Sequence, residues 1–239
     1  MRLDKFVSDG AAMTRSESRK AIKNGRVSVE SKIVKDIAFQ VAENSSILLD
    51  GREISYREFV YIMLNKPQGY VSATEDKKQK TVLDLIDPSY SRYQLFPVGR
   101  LDIDTEGFLL LTNDGELAHN MLSPNKNVGK TYFLRLEKPI TDKEIKALET
   151  GVDIGECITK PAKAERISEN EIHLTITEGK FHQIKRMAKA VGNEVVYLKR
   201  IAYGNFYLDE ALKTGDYRAL AEKETKYLCN VYKRKLLNL

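Results

Sequence analysis

The sequence predicts an α+β protein with two domains, and three observations lead to this prediction. At 239 residues the chain is long enough to form two hydrophobic cores. Segments with helical spacing of apolar residues are interspersed with short runs rich in β-branched residues, which are typical of strands. Residues 1–57 carry 11 Lys and Arg against 8 Asp and Glu, whereas residues 58–239 carry 28 against 26. We therefore predict a small basic domain over residues 1–57 and a larger domain over residues 58–239.

Composition argues against several classes of protein. Hydrophobic residues make up 42% and charged residues 31% of the chain, as in ordinary globular proteins. No apolar run approaches the roughly 20 residues of a membrane span, and Met1–Lys5 has no apolar signal segment, so we expect a cytoplasmic protein. Cys157 and Cys229 are far apart and the histidines are scattered, so we expect neither a disulfide nor a metal site. The formal net charge of +5 favours a polyanionic partner.

The small domain is predicted to begin with two short helices. Apolar residues at helical spacing predict a helix from Leu3 to Gly10. A second helix should begin at Thr14, because Thr14 and Glu17 have the spacing of a capping box, and it should end at Gly25. Short strands are expected at Val27–Val29, Ile33–Val34, Ile47–Leu49 and Arg52–Ile54.

The second helix is basic, and a basic helix face is often simply solvated. The motifs Arg2–Phe6, Ser16–Arg19, Ile22–Val27 and Asp50–Gly51, however, resemble a small RNA-binding domain first found in a ribosomal small-subunit protein. This resemblance covers the chain to about residue 55 and implies an α-L fold, whose two helices lay a basic face on folded RNA. The RNA-binding residues that it implies are Arg2, Lys5, Arg15, Ser16, Arg19, Lys20, Lys23 and Arg26.

The larger domain is predicted to contain both strands and helices. The predicted strands are Phe59–Leu64, Phe108–Thr112, Thr131–Glu137, Ile172–Thr177 and Val195–Leu198. The predicted helices are Thr81–Ile86, Glu116–Leu122 and a helix that Thr141 and Glu144 cap and Gly151 ends. From Leu208 onward, the mixture of acidic and basic residues predicts a helical tail.

One polar loop, Gly99–Gly107, is a candidate site of chemistry. It carries three acids between two glycines and leads directly into the apolar strand Phe108–Thr112. A carboxylate at the edge of a rigid strand is held well enough to act as a nucleophile or a base. The same pattern also fits an ordinary turn with solvated acids, so the loop alone does not establish a site.

A second candidate is the stretch Glu178–Met187, which we expect to be part of a helix that ends at Gly192. One face of this helix would be apolar and pack into the core, and another would be basic and suit phosphates or a carboxylate. The apolar face comprises Ile184, Met187, Ala188 and Val191, and the basic face comprises His182, Lys185, Arg186 and Lys189.

Several motifs in a fixed order give a second resemblance, which extends through essentially the whole chain. Lys66–Ser72, Gly99–Gly115, Lys130–Tyr132, Glu178–Met187 and Leu198 together resemble the RsuA-type pseudouridine synthases, which modify ribosomal RNA. The resemblance implies a mixed, largely antiparallel sheet flanked by helices, with a cleft across the sheet. The expected substrate is small-subunit 16S rRNA, with large-subunit 23S rRNA as the alternative.

Site residues follow from this resemblance by position. Asp102 matches the catalytic aspartate, Tyr132 the tyrosine that lies against the target base, and Leu198 an apolar wall of the pocket. Lys185 matches the basic partner of the aspartate, although related subfamilies have arginine there, and Phe108 stands where leucine is usual. Further RNA contacts are expected from Arg100, Lys180, His182, Gln183 and Arg186.

The implied reaction explains these residue types. Uridine becomes its C-glycoside isomer when the bond from the sugar to N1 breaks and a new bond to carbon forms, so no redox change and no cofactor are expected. Asp102 can act as a nucleophile or a base, and Tyr132 can stack on the base or move a proton. Asp104 and Glu106 are expected to order the loop or to be solvated. The expected partner is rRNA in a partly assembled subunit, bound by a monomer.

Two alternatives belong to other classes of protein. A non-catalytic RNA-binding assembly factor would need only the basic domain and no acid at position 102. A glycoside hydrolase could use Asp102 and Asp104 as its acid pair, with the carboxyl groups roughly 5–10 Å apart, but this would not explain the basic face of the helix with Lys185.

Overall fold

A computed structural model of the chain describes residues 1–11, 13–42, 45–54, 56 and 58–232. The predicted domain boundary at Arg57 lies outside the described residues, as does the end of the predicted helical tail, residues 233–239. In the described part of the chain, no helix is long and apolar enough to cross a membrane.

The described residues up to Glu53 form two helices and four short strands, as predicted, and the strands pair into a small antiparallel sheet. Glu17 N–H donates to Thr14 Oγ1 at 3.2 Å, and Thr14 N–H donates to Glu17 Oε2 at 2.8 Å, which confirms the capping box. The sheet order is β2-β1-β3-β4. The elements are α1 Leu3–Gly10, α2 Arg15–Lys23, β1 Val27–Val29, β2 Lys32–Ile33, β3 Ile47–Leu49 and β4 Arg52–Glu53.

The remaining described residues form a nine-stranded sheet with helices on both faces. The strands are β5 Tyr61–Lys66, β6 Phe96–Pro97, β7 Glu106–Thr112, β8 Lys130–Leu136, β9 Lys163–Arg166, β10 Glu171–Ile176, β11 Val195–Tyr203, β12 Phe206–Tyr207 and β13 Tyr217–Ala219. The helices are α3 Gly115–Leu122, α4 Asp142–Thr150, α5 Gln183–Ala190 and α6 Glu222–Val231, and short 3₁₀ turns span Val82–Leu85, Pro88–Tyr93 and Pro124–Lys126.

The main path through this sheet is β13-β5-β7-β11-β8-β10-β9, with β6 beside β7 and β12 beside β11. Among the pairings between these described strands only that of β7 with β11 is parallel, which confirms the prediction of a mixed, largely antiparallel sheet. Alternate residues of each strand face opposite cores. One core contains Leu64, Leu109 and Leu134 and is covered by α4 and α5, and the other contains Met63 and Leu110 and is covered by α3 and α6.

The parallel contact between β7 and β11 depends on a glycine. Gly107 has φ +103°, and a Cβ added there would lie 2.2 Å from the carbonyl oxygen of Arg200. Only glycine permits this approach, so the second glycine of the candidate loop joins that loop to the neighbouring strand.

The predicted helical tail from Leu208 is wrong for residues 208–220. Gly215 has φ +94°, and Tyr217–Ala219 then pairs with β5 as an edge strand. A short strand at a sheet edge has little periodicity of its own, and its pairing partner is about 150 residues away, so local charge patterning could not identify it. The helix that was predicted begins only at Glu222.

Candidate active site

Asp102 lies in the loop between β6 and β7, and its backbone is fixed on both sides. Ser72 Oγ donates to the carbonyl of Leu101 at 2.9 Å and accepts from Leu101 N–H at 3.0 Å. Gly69 N–H donates to the carbonyl of Ile103 at 2.8 Å. The Asp102 side chain, in contrast, is 31% exposed. The loop therefore presents a carboxylate to solvent from a rigid backbone.

Lys66 is a fully buried lysine at the end of β5, and it binds the backbone of the loop that carries Asp102. Its ammonium donates to the carbonyl oxygens of Thr105 at 2.9 Å, Pro67 at 3.0 Å and Asp102 at 3.1 Å. Burial lowers the pKa of Lys66 to about 8, although the Asp104 and Asp102 carboxylates oppose this shift. Lys66 was part of a motif in the sequence, but its role was missed; a lysine that ends an otherwise apolar strand was the available signal.

Two nitrogen-bearing side chains of the α5 region, those of Lys185 and His182, lie beside the Asp102 carboxylate. Lys185 Nζ lies 3.6 Å from Asp102 Oδ2, and His182 Nε2 lies 3.8 Å from Asp102 Oδ1. The helix itself begins at Gln183, because His182 has a left-handed backbone with φ +48°. The expectation that the stretch is helical from Glu178 is therefore wrong, although the basic face of the helix is close to the carboxylate.

Asp104 takes a larger part in the site than expected. Lys185 Nζ donates to its two carboxylate oxygens at 2.6 and 2.7 Å. Burial alone would raise the pKa of Asp104, but the hydrogen bonds and charge of Lys185 outweigh this effect and hold the pKa below its ordinary value. Glu106 orders the loop as predicted, because its Oε2 accepts from Tyr197 Oη at 2.7 Å.

Tyr132 and Leu198 lie on adjacent strands, β8 and β11, and are 7% and 5% exposed. Both belong to the core that also contains Leu101, the residue before Asp102, and Ile184 of α5. The fold therefore brings the predicted aromatic and apolar residues of the site into the same core as the base of the Asp102 loop and the inner face of α5.

Two further basic residues, Arg200 and Lys130, lie on the strands that carry Leu198 and Tyr132, and their roles were not predicted. Arg200 is 1% exposed; its Nε donates to the carbonyl of Phe108 at 2.8 Å, and its Nη2 has no hydrogen-bond partner among the described residues. Lys130 lies two residues before Tyr132 on β8. Burial lowers the pKa of Lys130 to about 8, and the positive charge of Arg200 adds to this shift. Basic residues within apolar strands were the signal for both.

Gln183 shapes the loop before α5. It is 3% exposed, and its Nε2 donates to Glu178 Oε1 at 2.7 Å while its Oε1 accepts from Lys180 N–H at 2.9 Å. Lys180 Nζ lies 2.5 Å from Cys157 Sγ. The interpretation of Gln183 as an RNA contact is therefore corrected, because a buried amide with both ends bonded within the protein braces the loop instead.

Arg186 also braces this loop. Its Nη1 bonds to Glu156 Oε1 at 2.5 Å and to the carbonyl of Phe181 at 3.3 Å, and its Nη2 donates to the carbonyl of Ile154. These bonds occupy much of the guanidinium, so Arg186 acts mainly within the protein. Arg100, by contrast, is exposed, and its role as an RNA contact stays a prediction.

Three of the basic residues predicted in the small domain surround one buried carboxylate. Asp4 is fully buried, and it lies 3.1 Å from Arg2 Nε, 3.5 Å from Arg15 Nη1 and 3.1 Å from Arg19 Nε. Burial would raise the pKa of Asp4, but the bonds from Arg2 and Arg19 hold it below its ordinary value. The three guanidinium groups remain about half exposed and can still bind phosphates.

The other predicted RNA contacts of this domain are exposed. Arg26 pairs with Asp50 at 2.5 Å at the surface, which leaves its outer edge accessible. The remaining exposed members of the set are Lys5, Ser16, Lys20 and Lys23.

Comparisons with known proteins find similarity to RNA pseudouridine synthases along nearly the whole chain. Residues 60–190 match the family described as RNA pseudouridylate synthase, and residues 1–47 match the S4 domain. The chain is 52% identical to the uncharacterized RNA pseudouridine synthase YtzG of Bacillus subtilis, over 95% of this chain and 98% of that protein. It is 40% identical to the ribosomal small subunit pseudouridine synthase A of Escherichia coli strain K12, over 94% of this chain and 98% of that protein. A crystal structure of a pseudouridylate synthase has a TM-score of 0.67 at 37% identity, over 95% of this chain and 99% of that chain.

Proposed function

The chain belongs to the RNA pseudouridylate synthase family, and we propose that it converts a specific uridine of small-subunit 16S rRNA to pseudouridine. The choice of substrate is supported by relatives that are named ribosomal small subunit pseudouridine synthase A and are 40–43% identical over nearly their full length. The S4 domain match over residues 1–47 supports RNA binding by the basic small domain. Family membership contradicts both the non-catalytic assembly factor and the glycoside hydrolase.

The observation that carries the proposal is the Asp102 carboxylate, which is held by a rigid loop, is partly exposed and has Lys185 and His182 within 4 Å. In the reaction, the bond between N1 of uracil and C1′ of the sugar breaks, and the base turns. A bond then forms between C5 and C1′, C5 loses its proton to a base, and N1, which kept the electron pair of the broken bond, takes up a proton. Because atoms and charge balance within the nucleotide and one general base, the proposed reaction needs no redox partner.

We assign roles to the residues of the site as follows. Asp102 attacks the nucleotide as nucleophile or removes a proton as base, and Lys185 keeps its carboxylate in position by charge attraction. Tyr132 provides a flat face for the base and a phenol for proton transfer, and Leu198 provides an apolar wall. Turning a paired uridine out of its stack costs a few kcal/mol, which phosphate contacts elsewhere can offset.

We place those phosphate contacts on the small domain, with Arg2, Arg15 and Arg19 held around Asp4 and the exposed lysines beside them. The proposed substrate is rRNA within a partly assembled subunit, and the proposed form of the enzyme is a cytoplasmic monomer that uses no cofactor.

The test uses 16S and 23S rRNA transcribed in vitro with tritium at C5 of uridine. The proposal predicts tritium release from the 16S transcript, or from its complex with ribosomal proteins, and a single modified position on mapping. Release from 23S rRNA alone would show that the large subunit is the target, which is the alternative. Binding without release from either rRNA would contradict the assigned chemistry.

A further inference from the structure

We propose that Phe181 and His182 form a stacking platform for an unpaired RNA base next to the target uridine. This inference rests on the proposed function, because it places a second nucleobase beside the site where the uridine reacts. The ligand is a nucleobase of the substrate RNA, and the base is recognised by its flat face instead of its hydrogen-bonding edge.

The exposure of Phe181 is the first observation. Its side chain is 75% exposed, the highest value among the large apolar side chains of the described residues. Its ring lies against the His182 imidazole, with centroids 3.8 Å apart and planes inclined by 17°. One face of the phenyl ring is therefore covered by a parallel ring, and the exposure leaves the other face open to a third ring.

The rigidity of the backbone is the second observation. The carbonyl of Phe181 accepts from Arg186 Nη1 at 3.3 Å, and the preceding Lys180 N–H donates to Gln183 Oε1 at 2.9 Å. His182 follows in a left-handed conformation with φ +48°. An exposed aromatic ring on a backbone that is fixed by such hydrogen bonds loses little conformational entropy when a base stacks on it.

The position of the platform is the third observation. His182 Nε2 is 3.8 Å from Asp102 Oδ1, so the imidazole connects the Phe181 ring directly to the reacting carboxylate. The ammonium group of Lys185 lies 3.6 Å from the other carboxylate oxygen of Asp102 and can attract the phosphates of a strand that passes there. A base that follows or precedes the flipped uridine would reach the open face of Phe181.

Other exposed apolar residues lack this combination. Tyr207, for example, is 69% exposed, but it lines a groove with Phe133, Asp209 and Glu210 on the face of the sheet opposite Tyr132. Tyr207 is therefore a matched control for a solvent-exposed aromatic residue outside the site.

The test exploits the absence of tryptophan from the chain. In the Phe181→Trp variant the new indole is the only one, and a stacked nucleobase quenches its fluorescence. We expect 16S rRNA transcript to quench the emission of Phe181→Trp at the concentrations at which it binds, and to leave that of Tyr207→Trp unchanged. The Phe181→Leu variant, which keeps an apolar side chain but loses the ring, should bind this RNA about 5- to 150-fold more weakly, while Phe181→Tyr should bind like the wild type.

Two results would overturn the platform while leaving the proposed function intact. One is unchanged emission of Phe181→Trp under conditions where filter binding shows the RNA bound and tritium release shows activity. The other is a Phe181→Leu variant whose RNA affinity and kcat/KM equal those of the wild type. A wild-type chain that neither binds nor modifies rRNA would instead overturn the proposed function, and this inference with it.

Discussion

The ammonium of Lys185 lies 2.6 and 2.7 Å from the carboxylate oxygens of Asp104 but 3.6 Å from the nearest oxygen of Asp102. The family resemblance pairs Lys185 with Asp102. In the structure Lys185 lies between the carboxylates of Asp102 and Asp104, and its shorter bonds are to Asp104. Asp104 thereby positions Lys185 beside Asp102. Lysine suits this arrangement, because its point charge does not impose the bidentate geometry of arginine.

Replacing Lys185 by methionine should lower turnover strongly with little loss of stability. The side chain is 27% exposed, and a partly exposed ion pair contributes at most about 1 kcal/mol. The kcat for tritium release should fall by about 100-fold or more, while the Kd for rRNA changes less. Lys189→Met is the control, since Lys189 is exposed on the same helix and contacts neither acid. Near-normal turnover in Lys185→Met would contradict the role of Lys185 as the partner of the Asp102 carboxylate.

Replacing Asp104 by asparagine should have an intermediate effect. The ammonium of Lys185 would lose its closer partner but retain Asp102, so we expect kcat to fall by about 3- to 10-fold, as for the loss of one positioning contact. Restoring the carboxylate as Asp104→Glu should recover part of this loss. If Asp104→Asn abolished release as completely as loss of Asp102, the account of Asp104 as a positioning residue would be wrong.

The pKa of Lys66 predicts a dependence of stability on pH. Because burial lowers the pKa from 10.5 to about 8, the unfolded chain binds more protons at this residue than the folded chain between those two values. The free energy of unfolding that Lys66 contributes should therefore rise with pH in this window. The free energy of unfolding should be measured by urea denaturation for the wild type and for Lys66→Met at several pH values. Between pH 8 and 10.5 the value for the wild type should rise relative to that for Lys66→Met by up to about 3 kcal/mol.

Below pH 8 Lys66 is protonated in both states, so this difference should be constant between pH 6 and 7.5. Lys130 is unchanged in both proteins, and its own titration cancels in the comparison. If the difference in the free energy of unfolding between the two proteins did not change between pH 6 and 10.5, burial would not have lowered the pKa of Lys66.

Removing residues 1–57 should weaken RNA binding and reduce its salt dependence, because the segment carries 11 Lys and Arg against 8 Asp and Glu. The remaining domain should still fold, since its core shares no buried member with that of the small domain. A milder variant replaces the exposed Lys5, Lys20 and Lys23 by alanine and leaves the Asp4 cluster intact. If the truncated chain modified full-length rRNA at unchanged kcat/KM, the small domain would not be the RNA anchor.

Local signals in the sequence were sufficient for much of the secondary structure. The capping boxes of Thr14 with Glu17 and of Thr141 with Glu144 marked the starts of α2 and α4, because a cap depends only on residues three positions apart. The start of α5 could not be predicted in this way. The left-handed backbone of His182 accompanies the burial of Gln183 and its bonds to Glu178, which depend on the tertiary fold and have no local sequence pattern.

The contacts within the candidate site could not be predicted from local sequence signals either. Asp102 and Lys185 are 83 residues apart, and nothing in their spacing indicates that they meet; the resemblance to a known family identified the pair. The bond between Lys185 and Asp104 and the bonds of the Lys66 ammonium to the loop carbonyls join residues that are distant in the sequence, so neither periodicity nor charge patterning indicated these contacts.

The central claim is that the Asp102 carboxylate performs the chemistry, and the Asp102→Asn variant tests it most directly. The substitution keeps the size of the side chain but removes its charge and its nucleophilicity. Tritium release from 16S rRNA should be measured for Asp102→Asn and Asp104→Asn side by side with the wild type, in the presence of a chelator. We predict that Asp102→Asn remains folded, binds the RNA at least as well as the wild type and loses release by several orders of magnitude, about 10⁴-fold. Wild-type release by Asp102→Asn would contradict the account, and loss of release in Asp104→Asn alone would place the reacting carboxylate two residues further along the loop.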